Sequence, residues 1–143
     1  MEIKFEFRKI HPDAKSLYRG RQGDAGYDLS AVDEVEIHPG SMAKISTGLQ
    51  ISAPAGYYYT LEGRSGMLNK GLITSRGIID AGYTGEIFVL IHNHGTESYK
   101  INVGDRIAQL LPHKIIHLDF DLVEEFSSEY NTRGEAGFGS SGR

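Results

Sequence analysis

Short runs in which apolar and polar residues alternate, each ended within a few positions by glycine or proline, constrain this chain more than any other feature. Ala43, Ile45, Thr47, Leu49 and Ile51 fall on one side of an extended segment, and Ile3, Phe5 and Phe7 do the same within residues 2–10. Successive side chains of a strand point to opposite faces, so such rows predict half-buried strands. Residues 57–61 are aromatic and β-prone, residues 87–91 are continuously apolar, and Tyr99, Ile101 and Val103 alternate again before residues 107–111. Between these runs stand His38-Pro39-Gly40, Ala53-Pro54-Ala55-Gly56, His94-Gly95-Thr96 and Val103-Gly104-Asp105, each with turn chemistry. Many short strands at this spacing read as an all-β, jelly-roll-like sandwich. In residues 118–126, Leu118, Phe120 and Leu122 alternate while Leu118, Leu122 and Phe126 also fit a helical face; we read the segment as extended. The best helical candidate is a single turn over residues 65–70 with Ser65 as its cap.

Composition removes several function classes. At 143 residues the chain suits one domain. With no cysteine, disulfides and Cys-rich zinc sites are impossible. A net charge of -4 gives no footprint for duplex nucleic acid, whose phosphates demand clustered cations. No apolar run reaches transmembrane length, and the opening Met1-Glu2-Ile3-Lys4-Phe5 lacks a signal-peptide pattern. The expected location is the cytoplasm. The P-loop, dinucleotide-binding and nucleophile-elbow patterns are all missing.

Five segments carry the polar chemistry. Gly23-Asp24-Ala25-Gly26-Tyr27-Asp28-Leu29 sets two carboxylates among glycines; a carboxylate on such a loop suits hydrated Mg²⁺, which keeps its waters and takes one or two protein oxygens. Gly63-Arg64-Ser65-Gly66 combines a cation, a hydroxyl and free amides, the makings of a phosphate nest. In residues 77–86 an Ile78-Ile79 pair leads Asp80 into a glycine-rich turn with Tyr83 three residues on. The apolar flank predicts partial desolvation of Asp80, and a positioned carboxylate is a candidate general base. Gly104-Asp105-Arg106-Ile107-Ala108-Gln109 offers Asp105 and Arg106 as a local pair and leaves Gln109 as a polar residue wanting a partner. Residues 133–142 supply Arg133, Phe138, Ser140 and Ser141 among glycines, the composition of an arm that closes over a ligand. His92 and His94, two apart on a strand, have the spacing of metal ligands but no evident third; two surface histidines are the better reading.

Taken in order, the five segments strongly resemble the five motifs of the trimeric deoxyuridine triphosphatase (dUTPase) family, from Asp24 to Gly142. The resemblance implies a homotrimer of jelly-roll subunits, with a domain over residues 1–131 and a C-terminal arm over residues 132–143 that closes on a site shared among three chains. It implies Mg²⁺-assisted hydrolysis of dUTP to dUMP and pyrophosphate, supplying dUMP and limiting uracil in DNA. Asp80 matches the base that holds the attacking water, and Tyr83 the aromatic that packs on deoxyribose. The hairpin beginning at Gly77 matches the uracil reader. Arg64, Ser65, Gly66 and Gln109 match the residues that hold the phosphates, and Asp28 the carboxylate that steadies Mg²⁺ through water. Arg133, Phe138, Ser140 and Ser141 match the arm, with Phe138 over the base. Gly82 departs from the pattern, standing where the family usually has an acidic residue. A dCTP deaminase resembles the same fold, but its catalytic glutamate position is Leu90 here. An interaction protein on this scaffold is the other alternative.

Overall fold

The computed structural model describes residues 2–137 and Gly139. Within them lie ten strands and one helical turn: β1 (Glu6–Lys9), β2 (Tyr27–Ser30), β3 (Val35–Ile37), β4 (Met42–Ser52), β5 (Tyr57–Glu62), α1 (Ser65–Leu68), β6 (Leu72–Thr74), β7 (Gly77–Ile79), β8 (Glu86–Asn93), β9 (Tyr99–Ile101) and β10 (Arg106–Lys114). One sheet runs β1-β4-β8-β6, a second β2-β10-β5-β7, and β3 pairs with β9 in a small third. Every pairing is antiparallel. The all-β expectation holds. No helix among the described residues is long and apolar enough to cross a membrane.

The core forms where inward rows of the two large sheets meet. Ile45, Leu49 and Ile51 from β4 close against Ile87, Val89 and Ile91 of β8 and against Tyr59, Ile107 and Leu110 of the facing sheet. The row Ala43, Ile45, Thr47, Leu49 and Ile51 thus lies inward as its alternation required, although β4 carries an irregularity between Ser46 and Gln50. Ser46 pairs with Phe88 and Gln50 with Glu86, so three residues of β4 face one of β8. Two extra residues leave a period of two in phase, which is why the pattern survives.

Three local expectations change. The first alternating run yields only the short β1, an edge strand exposed throughout. Phe5 packs on Tyr59 at 6.0 Å between ring centroids, while Ile3 lines an open apolar cleft of about 380 Å³ with Leu17, Tyr27 and Tyr57. Residues 118–126 form no strand within the chain. The last ladder pair is Lys114 with Tyr57, the first residue of β5, so the departing segment has run out of partner; Phe120 and Leu122 are almost wholly exposed. Finally, Ser65 is the first residue of α1 instead of its cap. Arg64 holds the cap position in an extended conformation, with no side-chain bond to the helix.

Candidate active site

Strand order brings three of the five segments together. Because β10 lies between β2 and β5, Gln109 stands opposite Asp28 on one side and Glu62 on the other, two residues short of Arg64. The Arg64 side chain turns across this row: its Nε donates to Asp28 Oδ1 at 3.0 Å and its Nη1 to the Arg106 carbonyl at 3.2 Å. Arg106 Nη1 reaches the other carboxylate oxygen at 3.6 Å, and its guanidinium lies over the Tyr18 ring at 5.1 Å. Gln109 Nε2 donates to the Gly63 carbonyl at 2.9 Å. Gly26 is required beneath it, since a Cβ there would overlap the Gln109 amide oxygen. The result is a polar cleft of about 270 Å³ lined by Asp24, Asp28, Arg64, Ser65, Gly66 and Gln109.

One reading of the fourth segment is corrected by this geometry and the other is met. Arg106 pairs with Asp28 and not with Asp105, whose carboxylate instead accepts the Asn102 amide at 2.8 Å. Gln109 has a protein partner in Gly63. Asp24 lines the cleft and Arg106 borders it through Asp28; the sequence reading gave Asp24 no separate role and placed Arg106 with Asp105. The signal for Arg106 was its place at the start of a strand flanking Asp28, visible only once the register is known.

The Asp80 segment lies elsewhere. It is the turn between β7 and β8, with Gly82 at φ +83°, a conformation that suits glycine and accounts for that residue. The Tyr83 amide donates to the Asp80 carbonyl at 3.2 Å, and the Tyr83 hydroxyl to the Glu86 carbonyl at 3.1 Å. Asp80 is exposed, against the expectation of partial desolvation. Beneath the turn, burial pushes the Tyr59 phenol well above the ordinary tyrosine range, and nearby Tyr83 adds to the rise. The β5–β7 register fixes the distance to the cleft: Leu61 pairs with Gly77 and Tyr59 with Ile79, so β7 runs away from Arg64 as it approaches Asp80. Continued one step, Asp80 lies beside Tyr58, six positions from Arg64 and about 20 Å away along the strand. One chain does not unite the two.

Arg133 is exposed, and no ion pair holds it among the described residues. Phe138, Ser140 and Ser141 lie outside the described residues. His92 bonds Ser75 at 2.9 Å and its ring lies 6.0 Å from that of His94. No group of three or more metal-ligating side chains occurs among the described residues.

The comparisons with known proteins decide the family. The dUTPase family model matches residues 13–142. The chain is 36% identical over 143 residues to the deoxyuridine 5'-triphosphate nucleotidohydrolase of Yarrowia lipolytica, covering 99% of this chain and 90% of that protein. It is 39% identical over 137 residues to the protein of that name from Picosynechococcus sp., covering 94% and 95%. The solved dUTPase of Staphylococcus bacteriophage 80alpha, bound to dUPNHPP, superposes with a TM-score of 0.90 at 33% identity, covering 98% of this chain and 99% of that one. The chain belongs to the dUTPase family.

Within this dUTPase-family chain, the carboxylates decide how the cleft could take Mg²⁺. Both oxygens of Asp28 face arginines, Oδ1 hydrogen-bonded to Arg64 at 3.0 Å and Oδ2 3.6 Å from Arg106, so two cations already offset its charge. The arrangement fits an ion held through its waters, consistent with the few protein oxygens Mg²⁺ takes beside substrate phosphates. A structural Mg(II) ion is described for the related dUTPase of phage phi11 of S. aureus, 30% identical with a TM-score of 0.80, covering 87% of this chain and 99% of that one.

Proposed function

We propose that this chain hydrolyses dUTP to dUMP and pyrophosphate in the cytoplasm, at sites that each combine the cleft of one subunit with the Asp80 turn of another in a homotrimer. The observation that carries the shared site is the separation just described. Arg64, Gln109 and Asp28 meet at one cleft, and the Asp80 turn stands six strand positions, about 20 Å, from Arg64 on the same chain. A symmetric assembly with a heterologous contact brings one subunit's cleft to the next subunit's turn.

In this reading Arg64 and the free amides of Ser65 and Gly66 hold the phosphate chain, and Gln109 fixes the Gly63 carbonyl so that this loop keeps its shape. Asp80 takes a proton from a water whose oxygen bonds to the α-phosphorus, while the bond from that phosphorus to the bridging oxygen of the pyrophosphate breaks. Its exposure in the single chain leaves it open to a water and to a facing subunit. Confinement of the triphosphate sets the line of attack. Mg²⁺, held through water near Asp28, would supply charge stabilisation on the phosphoryl oxygens. Tyr83 packs on deoxyribose, and the hairpin from Gly77 reads uracil through its main chain. The arm of residues 132–143, with Arg133, Phe138, Ser140 and Ser141, closes over the substrate. The deaminase alternative lacks support, since Leu90 of β8 cannot move a proton.

Mixing two inactive variants tests the shared site. Asp80→Asn and Arg64→Ala chains, each expected to be inactive, are co-refolded in equal amounts and assayed for pyrophosphate release from dUTP. A site pairing an intact cleft with an intact turn arises in roughly one quarter of random combinations, so about that fraction of wild-type activity should return. Absence of any regain would place both halves in one chain and overturn the arrangement. A wild-type chain inert towards dUTP, dCTP, dTTP and UTP would favour the interaction-protein reading.

A further inference from the structure

The Tyr83 ring is held by contacts that lead away from Asp80 and into β4. Its hydroxyl donates to the Glu86 carbonyl at 3.1 Å, and the ring folds over Gly85, where a Cβ would fall 2.5 Å from Tyr83 Cζ. Glu86 is in turn fixed from the far side. Its carboxylate accepts the Ser46 hydroxyl and, at 3.4 Å, the Gly48 amide. These donors sit in the irregular stretch of β4, which has little room to shift. Gly48 has φ +66°, and a Cβ there would fall 2.7 Å from His11 Cβ. Thr47 Oγ1 also donates to the Ile87 carbonyl at 2.6 Å, anchoring the residue after Glu86. Side chain and following residue are therefore both pinned, and the carbonyl that receives Tyr83 has little freedom.

We propose that Glu86 is a positioning residue for sugar discrimination: its carboxylate, bound to Ser46 and Gly48, fixes the carbonyl that holds Tyr83 against the sugar. The inference rests on the proposed dUTP hydrolysis and on Tyr83 facing the deoxyribose. A wall excludes a 2′-hydroxyl only if it cannot swing aside, so selectivity depends on what immobilises the ring. Gly85 makes the folded ring position sterically possible, and Glu86 makes it the held one.

The test measures kcat/KM for dUTP and for UTP, at enzyme concentrations high enough to register UTP turnover, in wild type, Glu86→Ala, Glu86→Gln and Ser46→Ala. Loss of one hydrogen-bonded anchor corresponds to a change of about three- to tenfold. Glu86→Ala should lower the dUTP-to-UTP ratio by about tenfold, and Ser46→Ala by about threefold. Glu86→Gln, whose amide oxygen still accepts from Ser46 and Gly48, should keep the ratio within about twofold. Equal loss on both substrates in Glu86→Ala with the ratio kept, or a ratio in Glu86→Gln as low as in Glu86→Ala, would overturn the proposal. Should Glu86→Ala fail to fold, Ser46→Ala decides alone: an unchanged ratio refutes it and a lowered one supports it. Wild type inert on dUTP would overturn the activity and this inference together; an active wild type with insensitive ratios would overturn this inference only.

Discussion

The cleft around Asp28 and the turn around Asp80 are built on different principles. The cleft is cross-tied. Arg64 and Arg106 share one carboxylate, Gln109 clamps the Gly63 carbonyl, and three segments distant in sequence hold one another in place. The turn is held through its own backbone and through Tyr83, and no ion pair among the described residues restrains Asp80. A preorganised cleft suits the binding of a highly charged group, because donors already in position need not reorganise. An exposed carboxylate on a turn suits a group completed by a facing subunit. The difference predicts that damage to the turn removes chemistry and spares the fold, while damage to the cleft removes affinity and some stability.

The largest effect tests the turn. Asp80→Asn should lower turnover by on the order of 10² or more while retaining binding of a non-hydrolysable dUTP analogue and an unchanged melting temperature. Calorimetry of analogue binding beside steady-state assays separates the two. Equal loss of binding and turnover would make Asp80 structural and erase the contrast.

The next effect tests the cleft. Asp28→Ala leaves Arg64 and Arg106 facing each other without their shared carboxylate. The pairs are partly exposed, so the stability loss should be about 1 kcal/mol, while the analogue's Kd should rise about tenfold. Gly26→Ala acts on the same cleft through Gln109, whose amide oxygen the new methyl would displace. It should raise KM for dUTP by about three- to tenfold with kcat little changed. A fall in kcat at constant KM in Gly26→Ala would mean that the clamp serves the chemical step and not substrate placement.

How much of this was legible depends on the range of each interaction. The inward row of β4 was readable because its irregularity adds two residues and keeps the alternation in phase; for the same reason the irregularity itself, and the Glu86 contacts it makes, left no trace in the pattern. Arg106 was read as the neighbour of Asp105 because sequence adjacency is visible and register is not. The edge strand β1 was legible as alternation, but its exposure depends on what covers its faces, which alternation does not show. Ser65 had the chemistry of a cap; the bend fell one residue earlier, where Arg64 is drawn towards Asp28. The five polar segments were legible through their order. The division of the first four into a cleft and a turn, with Asp80 about 20 Å from Arg64 along the strand, was not readable from residue types, since it follows from the β5–β7 register.

The smallest effect probes the support under the turn. Tyr59 is fully buried, its hydroxyl donates to the Ile51 carbonyl at 2.9 Å, and its pKa is raised chiefly by burial, with Tyr83 adding to the rise. Ionisation is harder in the folded chain than in the unfolded one, so the folded state retains the proton where the unfolded state releases it. The corresponding stability is fully present below the unfolded pKa of about 10 and is lost as pH climbs above that value. Tyr59→Phe removes the hydrogen bond, costing about 1 kcal/mol at neutral pH, and removes this titration with it. The gap in melting temperature between wild type and variant should therefore be widest near neutrality and should narrow in alkali, with other tyrosines and lysines cancelling in the comparison. Turnover of dUTP by Tyr59→Phe at neutral pH should match wild type if the turn is supported by packing of the Phe-sized ring. A marked fall in turnover without a change in melting temperature would show that the Tyr59 hydroxyl reaches the Asp80 turn, and that the turn is less self-contained than its contrast with the cleft requires.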